Sequence, residues 1–323
     1  MQTKNTEKDL VTVIMPCYNQ AQYARESIDS VLNQTHKNLE VLLIDNVSTD
    51  GTKEIVQEYE KKDPRVRAIY HKQNMGLGYS FTEGMKEAKG NFISFTSSDD
   101  IWYSTKVEEQ LKLLENIPLA DFCHTNANII DGAGKKTGET IRQIYGATVE
   151  ESSGDVLMAI TRRNICCCAS ILFRRKCLET YAQFDPAFTV IHDWWFNIKI
   201  AQKHRFAYVS HSLVDYRVHE GNFSKKKTLL MEDYMHIHKR IADMGIEPQR
   251  HHIAIATSAA RIGKTAEAKE AVQKAKGFGP LGIQDRIITF IINDFTNDSG
   301  AILEEINDVK HTLRKGWHML TKG

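Results

Sequence analysis

The chain has 323 residues, with 42 Lys and Arg residues against 41 Asp and Glu residues, so its formal net charge is +1. A balance this close to neutral excludes a polybasic nucleic-acid coat, and we expect no nucleic-acid partner. No apolar run approaches the roughly 18 residues that a membrane-spanning helix needs. The polar N-terminal sequence MQTKNTEKDL lacks the apolar core of a secretion signal, so we expect a cytoplasmic protein without a transmembrane segment.

Strand and helix patterns alternate through the first third of the chain. Short apolar runs predict four buried strands, at Val11–Met15, Leu39–Ile44, Val66–Tyr70 and Asn91–Phe95. Helical patterns follow them, at Arg25–Asn33, from the N-cap candidates Ser48-Thr49-Asp50 to Tyr59, at Gly84–Lys89, and from Thr105 to Glu115. Thr105 and Glu108 have the spacing of a capping box. This alternation predicts an open, mostly parallel α/β sheet flanked by helices.

The middle section is mixed, and the last hundred residues are helical. We expect strands at Ala169–Phe173, Phe206–His211 and Leu213–His219, and helices at Arg175–Tyr181 and Trp194–Gln202. The Gly- and charge-rich stretch Ile130–Glu151 is interpreted as a mobile loop. From Lys225 onward the pattern predicts a C-terminal helical appendage, either an ordinary helical hairpin or a tetratricopeptide-like repeat with Gly263, Ala268, Val272, Ala275 and Pro280 at its characteristic positions.

Polar residues follow several of the predicted strands, where ligands bind in parallel sheets. The chain has neither GxGxxG after its first strand nor GxxxxGK[ST], which argues against a Rossmann dinucleotide site and excludes a P-loop. A phosphate group would then be held through a divalent metal on a strand-end carboxylate. The six cysteines have no CxxC spacing, which argues against zinc and disulfides and favours reduced, buried thiols.

An ordered series of motifs makes the resemblance specific. In the first half these are VTVIMPCYN (11–19), SVLNQT (30–35), LLIDNVSTDGT (42–52), NMG (74–76) and FTSSDD (95–100). In the second half they are LFRR (172–175), FDP (184–186), HDWW (192–195) and YRVHEGNFS (216–224). Over about residues 10–224 the chain resembles the family 2 glycosyltransferases, which implies the GT-A fold and transfer of a sugar from a nucleotide-sugar to an acceptor hydroxyl.

The resemblance implies a donor site and a metal, Mn²⁺ or Mg²⁺. Tyr18 would pack on the nucleobase, Asp45 would accept from a pyrimidine imide, and Arg217 would meet the diphosphate. Asp99 matches the last acid of the family's DxD motif and is the expected metal ligand, with His219 as the second; Ser97 stands where the first acid is usual. The complete set of expected donor residues is Pro16, Tyr18, Asn19, Asp45, Asn74, Gly76, Ser98, Asp99 and Arg217.

The same resemblance implies the catalytic base and the acceptor side. Asp193 would deprotonate the acceptor hydroxyl in an inverting reaction, and a carboxylate at a helix N-terminus stays ionised, as a base must. His192, Trp194 and Trp195 would contact the acceptor. Without the resemblance, an N-capping aspartate beside core tryptophans would be the preferred interpretation.

The resulting hypothesis is an inverting, metal-dependent hexosyltransferase that uses a UDP-sugar and acts on a glycan or lipid-linked acceptor in cell-surface polysaccharide biosynthesis. Residues 1–224 would form the catalytic domain, with a nucleotide-binding half at about 10–120 and an acceptor-side half at about 121–224. The helical region 225–323, with Lys310, Arg314, Lys315 and Trp317 near its end, would touch the inner face of the membrane, form a homo-oligomer or pack on the catalytic domain. The alternatives are a degenerate nucleotide-sugar-binding module and a helical interaction protein, both without turnover.

Overall fold

The computed structural model describes residues 10–222 and 225–294. The chain divides into two compact units after Asn222, and the four terminal sequence positions Lys310, Arg314, Lys315 and Trp317 lie outside the described residues, as does Ser224. No helix in the described part of the chain is long and apolar enough to cross a bilayer.

The first unit is built on one nine-stranded sheet in which β7 lies off the main path and the others follow the order β3-β2-β1-β4-β8-β6-β9-β5. The strands are β1 (Val11–Cys17), β2 (Leu39–Asp45), β3 (Val66–Tyr70), β4 (Phe92–Phe95), β5 (Ile101–Trp102), β6 (Ala120–Asp131), β7 (Lys136–Thr140), β8 (Leu172–Arg174) and β9 (Arg205–Val218). Strands β1 to β4 are parallel, β8 is antiparallel to β4 and to β6, and β6 is parallel to β9. Six strands therefore run in one direction, and the predicted mostly parallel α/β sheet is confirmed.

Seven helices belong to this unit. They are α1 (Ala21–Leu32), α2 (Thr52–Lys62), α3 (Leu77–Glu87), α4 (Lys106–Asn116), α5 (Ile141–Tyr145), α6 (Leu157–Arg162) and α7 (His192–Ala201). Helix α3 lies close to β1, because a Cβ at Gly84 would fall 2.3 Å from Ile14 Cγ2. Only glycine allows this approach, and it keeps α3 fixed against the strand whose end carries the predicted nucleobase residues.

Five features of the first unit differ from the sequence-based prediction. The capping box is wrong: Glu108 accepts from Thr35 Oγ1, and the Gln34 side chain accepts from the Val107 N–H in the first turn of α4. The stretch Ile130–Glu151 is not a loop, because it contains the end of β6, the strand β7 that pairs with β6, and α5 with its own Thr140–Gln143 capping box. Local composition reveals neither the Thr35–Glu108 hydrogen bond nor the pairing of β6 with β7.

The remaining corrections concern the middle section. The two strands expected at Phe206–His211 and Leu213–His219 form the single strand β9, which bulges where its pairing with β6 shifts from Val209 to Ser212. The strand expected at Ala169–Phe173 is reduced to β8, preceded by a 3₁₀ turn at Cys168–Ser170. The helix expected at Arg175–Tyr181 is a 3₁₀ turn at Arg175–Glu179. A bulge keeps both halves of β9 in one ladder, which a break in hydrophobic alternation cannot show.

The second unit contains helices as predicted. They are α8 (Lys227–Asp243), α9 (Pro248–Arg261), α10 (Thr265–Gly277) and α11 (Ile283–Asp294). Gly263, at φ +75°, turns the chain between α9 and α10. The two helices share a core made largely of alanines, including Ala256, Ala259, Ala268 and Ala271. Small side chains let helix backbones approach closely, which explains the Ala-rich pattern of the sequence.

Candidate active site

The carboxyl ends of β1 and β2 lie side by side and form one edge of the expected donor site. Cys17 and Asp45 are partners at the ends of these strands, and the following turns are tied together across them. Asn19, which has a positive φ of 51°, accepts from the Thr49 N–H at 2.8 Å and donates its own N–H to Ser48 Oγ at 3.2 Å. The strained backbone of Asn19 is thus held by hydrogen bonds, and this fixes the position of Tyr18 beside it.

Several of the expected donor residues gather around the Cys17 thiol. Burial raises the pKa of Cys17 to about 12, a hydrogen bond with Ser98 opposes that rise, and the charges of Asp45 and Asp99 add to it. The Cys17 thiol therefore lies within electrostatic range of the Asp45 and Asp99 carboxylates, and it hydrogen-bonds Ser98, the residue before Asp99. Pro16 is buried in β1 opposite Ile44. Its ring and its missing N–H shape the end of the strand beside Cys17.

A nucleobase would meet a buried carboxylate below an exposed aromatic ring. Asp45 is 1 % exposed, and its carboxylate accepts from the Ser48 N–H at 3.4 Å. Tyr18 is 37 % exposed, one residue beyond the end of β1. A buried acceptor retains hydrogen-bonding capacity only if a ligand or water reaches it, and an exposed ring offers a stacking surface.

The loop Asn74–Gly76 closes the same edge. Asn46 donates from Nδ2 to Asn74 Oδ1 at 2.8 Å and accepts from the Met75 N–H at 2.8 Å. Asn74 Oδ1 also accepts from the Gly76 N–H at 2.9 Å. Gly76 precedes α3 at φ +81°, a conformation that favours glycine. Asn46, which follows Asp45 in the LLIDN motif, thus binds this loop directly.

Asp99 and His219 meet at the end of β4. His219 Nε2 lies 3.1 Å from Asp99 Oδ2, although the residues are 120 positions apart in sequence. The Gly221 N–H donates to His219 Nδ1 at 3.1 Å, so in the neutral ring the proton is on Nε2, which donates to Asp99. A Cβ at Gly221 would lie 3.0 Å from Nδ1, so glycine allows this turn to close over the ring.

Asp100 turns away from that pair and into the protein. Its Oδ1 accepts from the Arg217 N–H at 3.0 Å. Burial, together with the charge of Asp99, raises the pKa of Asp100 well above its usual value. Asp100 therefore holds the turn in place, whereas the neighbouring Asp99 is the carboxylate that contacts His219.

Arg217 does not reach out to a diphosphate. The residue is 2 % exposed; Nε donates to the Asp99 carbonyl at 2.9 Å, and Nη2 pairs with Glu26 at 2.7 Å. Its guanidinium also lies over the Tyr23 ring, 4.7 Å from the centroid, and Tyr23 packs against His219. The predicted donor contact of Arg217 is thus not supported, because its donors are used inside the protein to brace Asp99 and His219.

Asp193 lies in the first turn of α7. Its Oδ1 accepts from the Trp194 N–H at 2.8 Å. Burial raises the pKa of Asp193 to about 6, against the lowering effect of hydrogen bonds from the Trp194 and Cys168 N–H groups and from Asn164. A carboxylate with a pKa near the working pH is a stronger base than an ordinary aspartate and is still largely ionised at pH 7.

Asp193 and Asp100 both act on one buried chain segment. The pKa of Cys167 is raised to about 12 mainly by burial, and the charges of Asp100 and Asp193 both add to it. The same two carboxylates raise the pKa of Cys168, where burial is again the main cause. The segment Cys167–Cys168 therefore lies within electrostatic range of Asp193 and of the residue that follows Asp99.

The three expected acceptor contacts are core side chains. His192, Trp194 and Trp195 are buried. Burial lowers the pKa of His192 to about 4, and its ring packs edge-on against Phe184. Trp194 Nε1 donates to the Ile160 carbonyl, and Trp195 packs against Phe188. Direct acceptor contact by these side chains is not supported; they fix α7 and hence the position of Asp193.

Residues that the sequence did not single out support the site. Tyr23 and Glu26 of α1 brace Arg217 and His219, and His71 contacts Asn46. The only available signal was that Tyr23 and Glu26 are three positions apart, on one face of the helix that follows β1.

The residues present fit a divalent cation held jointly with a substrate. In residues 10–222 and 225–294 no three His, Cys, Asp or Glu side chains converge as a metal site. Asp99 and His219 do converge, and a carboxylate with a neutral imidazole suits Mn²⁺; to coordinate through Nε2, the ring would move its proton to Nδ1, which would displace the Gly221 N–H. Mg²⁺ and similar ions are commonly bound by one or two protein ligands with substrate phosphates completing the shell, so a two-residue site is adequate.

Comparison with known proteins identifies the family of the chain. Residues 12–182 match the family model Glycosyl transferase family 2. A Bacillus subtilis (strain 168) protein that carries the name of a teichuronic acid biosynthesis glycosyltransferase, TuaG, is 39 % identical over 107 residues, which is 33 % of this chain and 42 % of that protein. The matched part thus spans less than half of that relative.

Solved structures share the fold. S. aureus TarS 1–349 in complex with UDP-GlcNAc superposes with a TM-score of 0.64 at 16 % identity, covering 95 % of this chain and 92 % of that one. The mannosyltransferase PcManGT from Pyrobaculum calidifontis, in complex with GDP-Man and Mn²⁺, gives a TM-score of 0.52 at 19 % identity, with 90 % and 86 % covered. The GT-A fold implied by the sequence motifs is confirmed.

Proposed function

Because the chain belongs to glycosyl transferase family 2, we propose that it is an inverting glycosyltransferase that moves a sugar from a UDP-sugar to an acceptor hydroxyl. One observation carries the proposal: Asp99 pairs with His219, while Asp193, whose pKa is raised, and Asp100, the neighbour of Asp99, both add negative charge near the Cys167 thiol. A donor-holding carboxylate and a separate basic carboxylate are the two groups that inverting sugar transfer needs.

The base is assigned to Asp193. Its carboxylate takes the proton from the acceptor hydroxyl as that oxygen attacks the anomeric carbon and the bond to the nucleoside diphosphate breaks. The Trp194 and Cys168 N–H groups hold the carboxylate, so its geometry persists in both protonation states. The bond formed joins the acceptor oxygen to the sugar, and the electron pair of the broken bond leaves on the diphosphate.

Asp99 and His219 hold the cation, and Tyr18 and Asp45 hold the base of the nucleotide. Mn²⁺ or Mg²⁺ bound there supplies Lewis-acid stabilisation to the leaving diphosphate. Asp45 accepts from the imide N–H of uracil, and Tyr18 stacks on the ring. A UDP-sugar is supported by the fold shared with TarS, which was solved with UDP-GlcNAc. The GDP-Man complex of PcManGT makes GDP-sugars the competitor to test.

The acceptor is assigned to a glycan or lipid-linked glycan of a cell-surface polysaccharide. This assignment follows the similarity to a relative whose name refers to teichuronic acid biosynthesis. In this proposal residues 1–224 form the catalytic domain, working in the cytoplasm at the inner face of the membrane. The helical region 225–323 then serves membrane contact or homo-oligomer formation.

The test is nucleotide release from a panel of nucleotide-sugars. The full chain is incubated with Mn²⁺ and UDP-, dTDP- or GDP-sugars, with and without a lipid-linked glycan fraction, and the freed nucleoside diphosphate is measured. We expect UDP release from one UDP-sugar that Asp193→Asn lowers by about 10²–10⁴-fold and Asp155→Asn leaves unchanged, because Asp155 is an exposed carboxylate that likewise caps a backbone N–H.

The competing function is a degenerate binding module, favoured by one observation. Ser97 replaces the first acid of the DxD motif, and its carbonyl accepts from Ser27 Oγ inside the fold. Such a protein would be stabilised against heat by UDP and Mn²⁺ and would release no UDP from any donor in the panel. That combination would overturn the transferase proposal and support the binding module.

A further inference from the structure

His71 lies directly beyond β3, buried behind the expected donor edge. Its backbone N–H donates to the Asp45 carbonyl at 3.0 Å, which extends the β2–β3 ladder by one bond. Its side chain is 6 % exposed and packs edge-on against the Tyr79 ring, with centroids 5.7 Å apart. Nδ1 lies 2.9 Å from Asn46 Oδ1, and Nε2 lies 2.7 Å from Glu83 Oε2 on α3.

The hydrogen bonds fix the direction of this chain of contacts. Asn46 Oδ1 accepts from the Met75 N–H, and Asn46 Nδ2 donates to Asn74 Oδ1, so the amide cannot be turned over without losing both bonds. The atom that faces His71 Nδ1 is therefore an oxygen, and Nδ1 must donate to it. Nε2 faces a carboxylate, which also accepts. The network is complete only when the ring donates from both nitrogens.

The contacts end on the loop Asn74–Gly76. Asn46 holds the Met75 N–H, and Asn74 holds the Gly76 N–H at the start of α3. The path therefore runs from Glu83 through His71 and Asn46 to Asn74. Because Glu83 lies on α3 and Asn74 precedes it, the contacts lock the loop against the same helix that it begins.

We propose that His71 is a positioning residue of the donor site, which holds the loop Asn74–Gly76 through Asn46 while Glu83 fixes its ring. This inference rests on the proposed function, because it takes this edge to be where the nucleotide-sugar binds. His71 does not touch the donor. It sets the place of loop groups that do, so it governs donor affinity and leaves the proton transfer at Asp193 unaffected.

The experiment compares three variants of the full chain. His71→Phe keeps an aromatic ring against Tyr79 and removes both hydrogen bonds. His71→Asn restores a short donor to Asn46 and omits the link to Glu83. The matched control is His211→Phe, because His211 makes a 2.8 Å pair with Glu109 that is exposed and belongs to β9 and α4. Each variant is measured for UDP affinity with Mn²⁺, for kcat and donor KM, and for hydrogen exchange at Met75 and Gly76 without nucleotide.

The proposal predicts a specific pattern of results. His71→Phe weakens UDP binding and raises donor KM about tenfold, or about 1.4 kcal/mol, and changes kcat by less than about threefold. Hydrogen exchange at Met75 and Gly76 accelerates, because their acceptors are no longer held. His71→Asn recovers most of the affinity, and His211→Phe behaves like the unaltered protein.

Other results separate the failure of this inference from that of the proposed function. Unchanged exchange and affinity in His71→Phe, or a His71→Asn variant as impaired as His71→Phe, would overturn the positioning role. If the unaltered protein binds no UDP or other nucleotide, the proposed function fails, and the assignment of a donor role to His71 falls with it. Accelerated exchange in that case would show only that His71 holds the loop.

Discussion

His219 Nε2, directly beyond β9, lies 3.1 Å from Asp99 Oδ2 in the turn between β4 and β5, although the two residues are 120 positions apart in sequence. The pair is enclosed by a bracing group: Arg217 bonds the Asp99 carbonyl, and Tyr23 packs against both His219 and Arg217. Two ligand types that suit Mn²⁺ are thus held side by side before any substrate binds, which reduces the ordering that donor binding would require.

The first prediction concerns the metal. Asp99→Asn removes the negative charge and keeps the shape, so we expect the gain in UDP affinity caused by Mn²⁺ to fall at least about tenfold. UDP affinity without metal should stay the same. Isothermal titration with and without Mn²⁺ measures both quantities. Asp215→Asn is the control, because Asp215 is a partly buried carboxylate of β9 that bonds Tyr103 and Asn128. An equal Mn²⁺ effect in Asp99→Asn and the control would contradict the ligand assignment.

The second prediction concerns turnover. Asp193→Asn retains an oxygen that accepts from the Trp194 N–H, but it cannot take a proton. We expect kcat to fall by about 10²–10⁴-fold, with UDP affinity changed less than about twofold. Steady-state UDP release and direct titration measure the two effects. Near-normal turnover in Asp193→Asn would remove Asp193 from the mechanism.

The third prediction concerns pH, with the sign set by the raised pKa of Asp193. Between its ordinary value of 3.8 and about 6, the folded protein binds more protons at this carboxyl than the unfolded chain does, so its contribution to stability falls as pH rises through that window. Asparagine has no such dependence. Relative to the unaltered protein, Asp193→Asn should therefore gain about 1–3 kcal/mol in free energy of unfolding between pH 4 and pH 8. Denaturant unfolding at both pH values measures this, and a constant difference would refute the buried-carboxylate account.

The rate of turnover should fall as pH drops below about 6, since the base becomes protonated.

The fourth prediction separates bracing from substrate binding at Arg217. Arg217→Met removes the guanidinium donors to the Asp99, Asp131 and Gly132 carbonyls, so we expect a loss of about 2–4 kcal/mol in the free energy of unfolding. Arg25→Met is the control, because the Arg25–Glu58 pair is exposed and such pairs contribute about 0–1 kcal/mol. Chemical denaturation decides. An Arg217→Met protein of unaltered stability with greatly weakened UDP binding would instead restore the direct contact with the diphosphate.

The sequence predicted which residues follow the sheet strands better than it predicted whether their side chains are exposed or packed in the core. Asp45 and Asp99 follow apolar runs, and parallel strands bring their carboxyl ends together, so both carboxylates act on the Cys17 thiol at the end of β1. Whether a side chain faces the cleft or the core depends on packing against distant segments. Arg217 and Trp194 are themselves expected site residues, yet in the structure their partners are Glu26 and the Ile160 carbonyl. No local pattern contains those contacts.

The most direct test is a crystal structure of Asp193→Asn with Mn²⁺ and an intact UDP-sugar. The account predicts uracil between Tyr18 and Asp45, the diphosphate beside Asp99 and His219, and residue 193 facing the anomeric carbon with space for one hydroxyl between them. A donor bound elsewhere, or residue 193 separated from the sugar by protein, would contradict it.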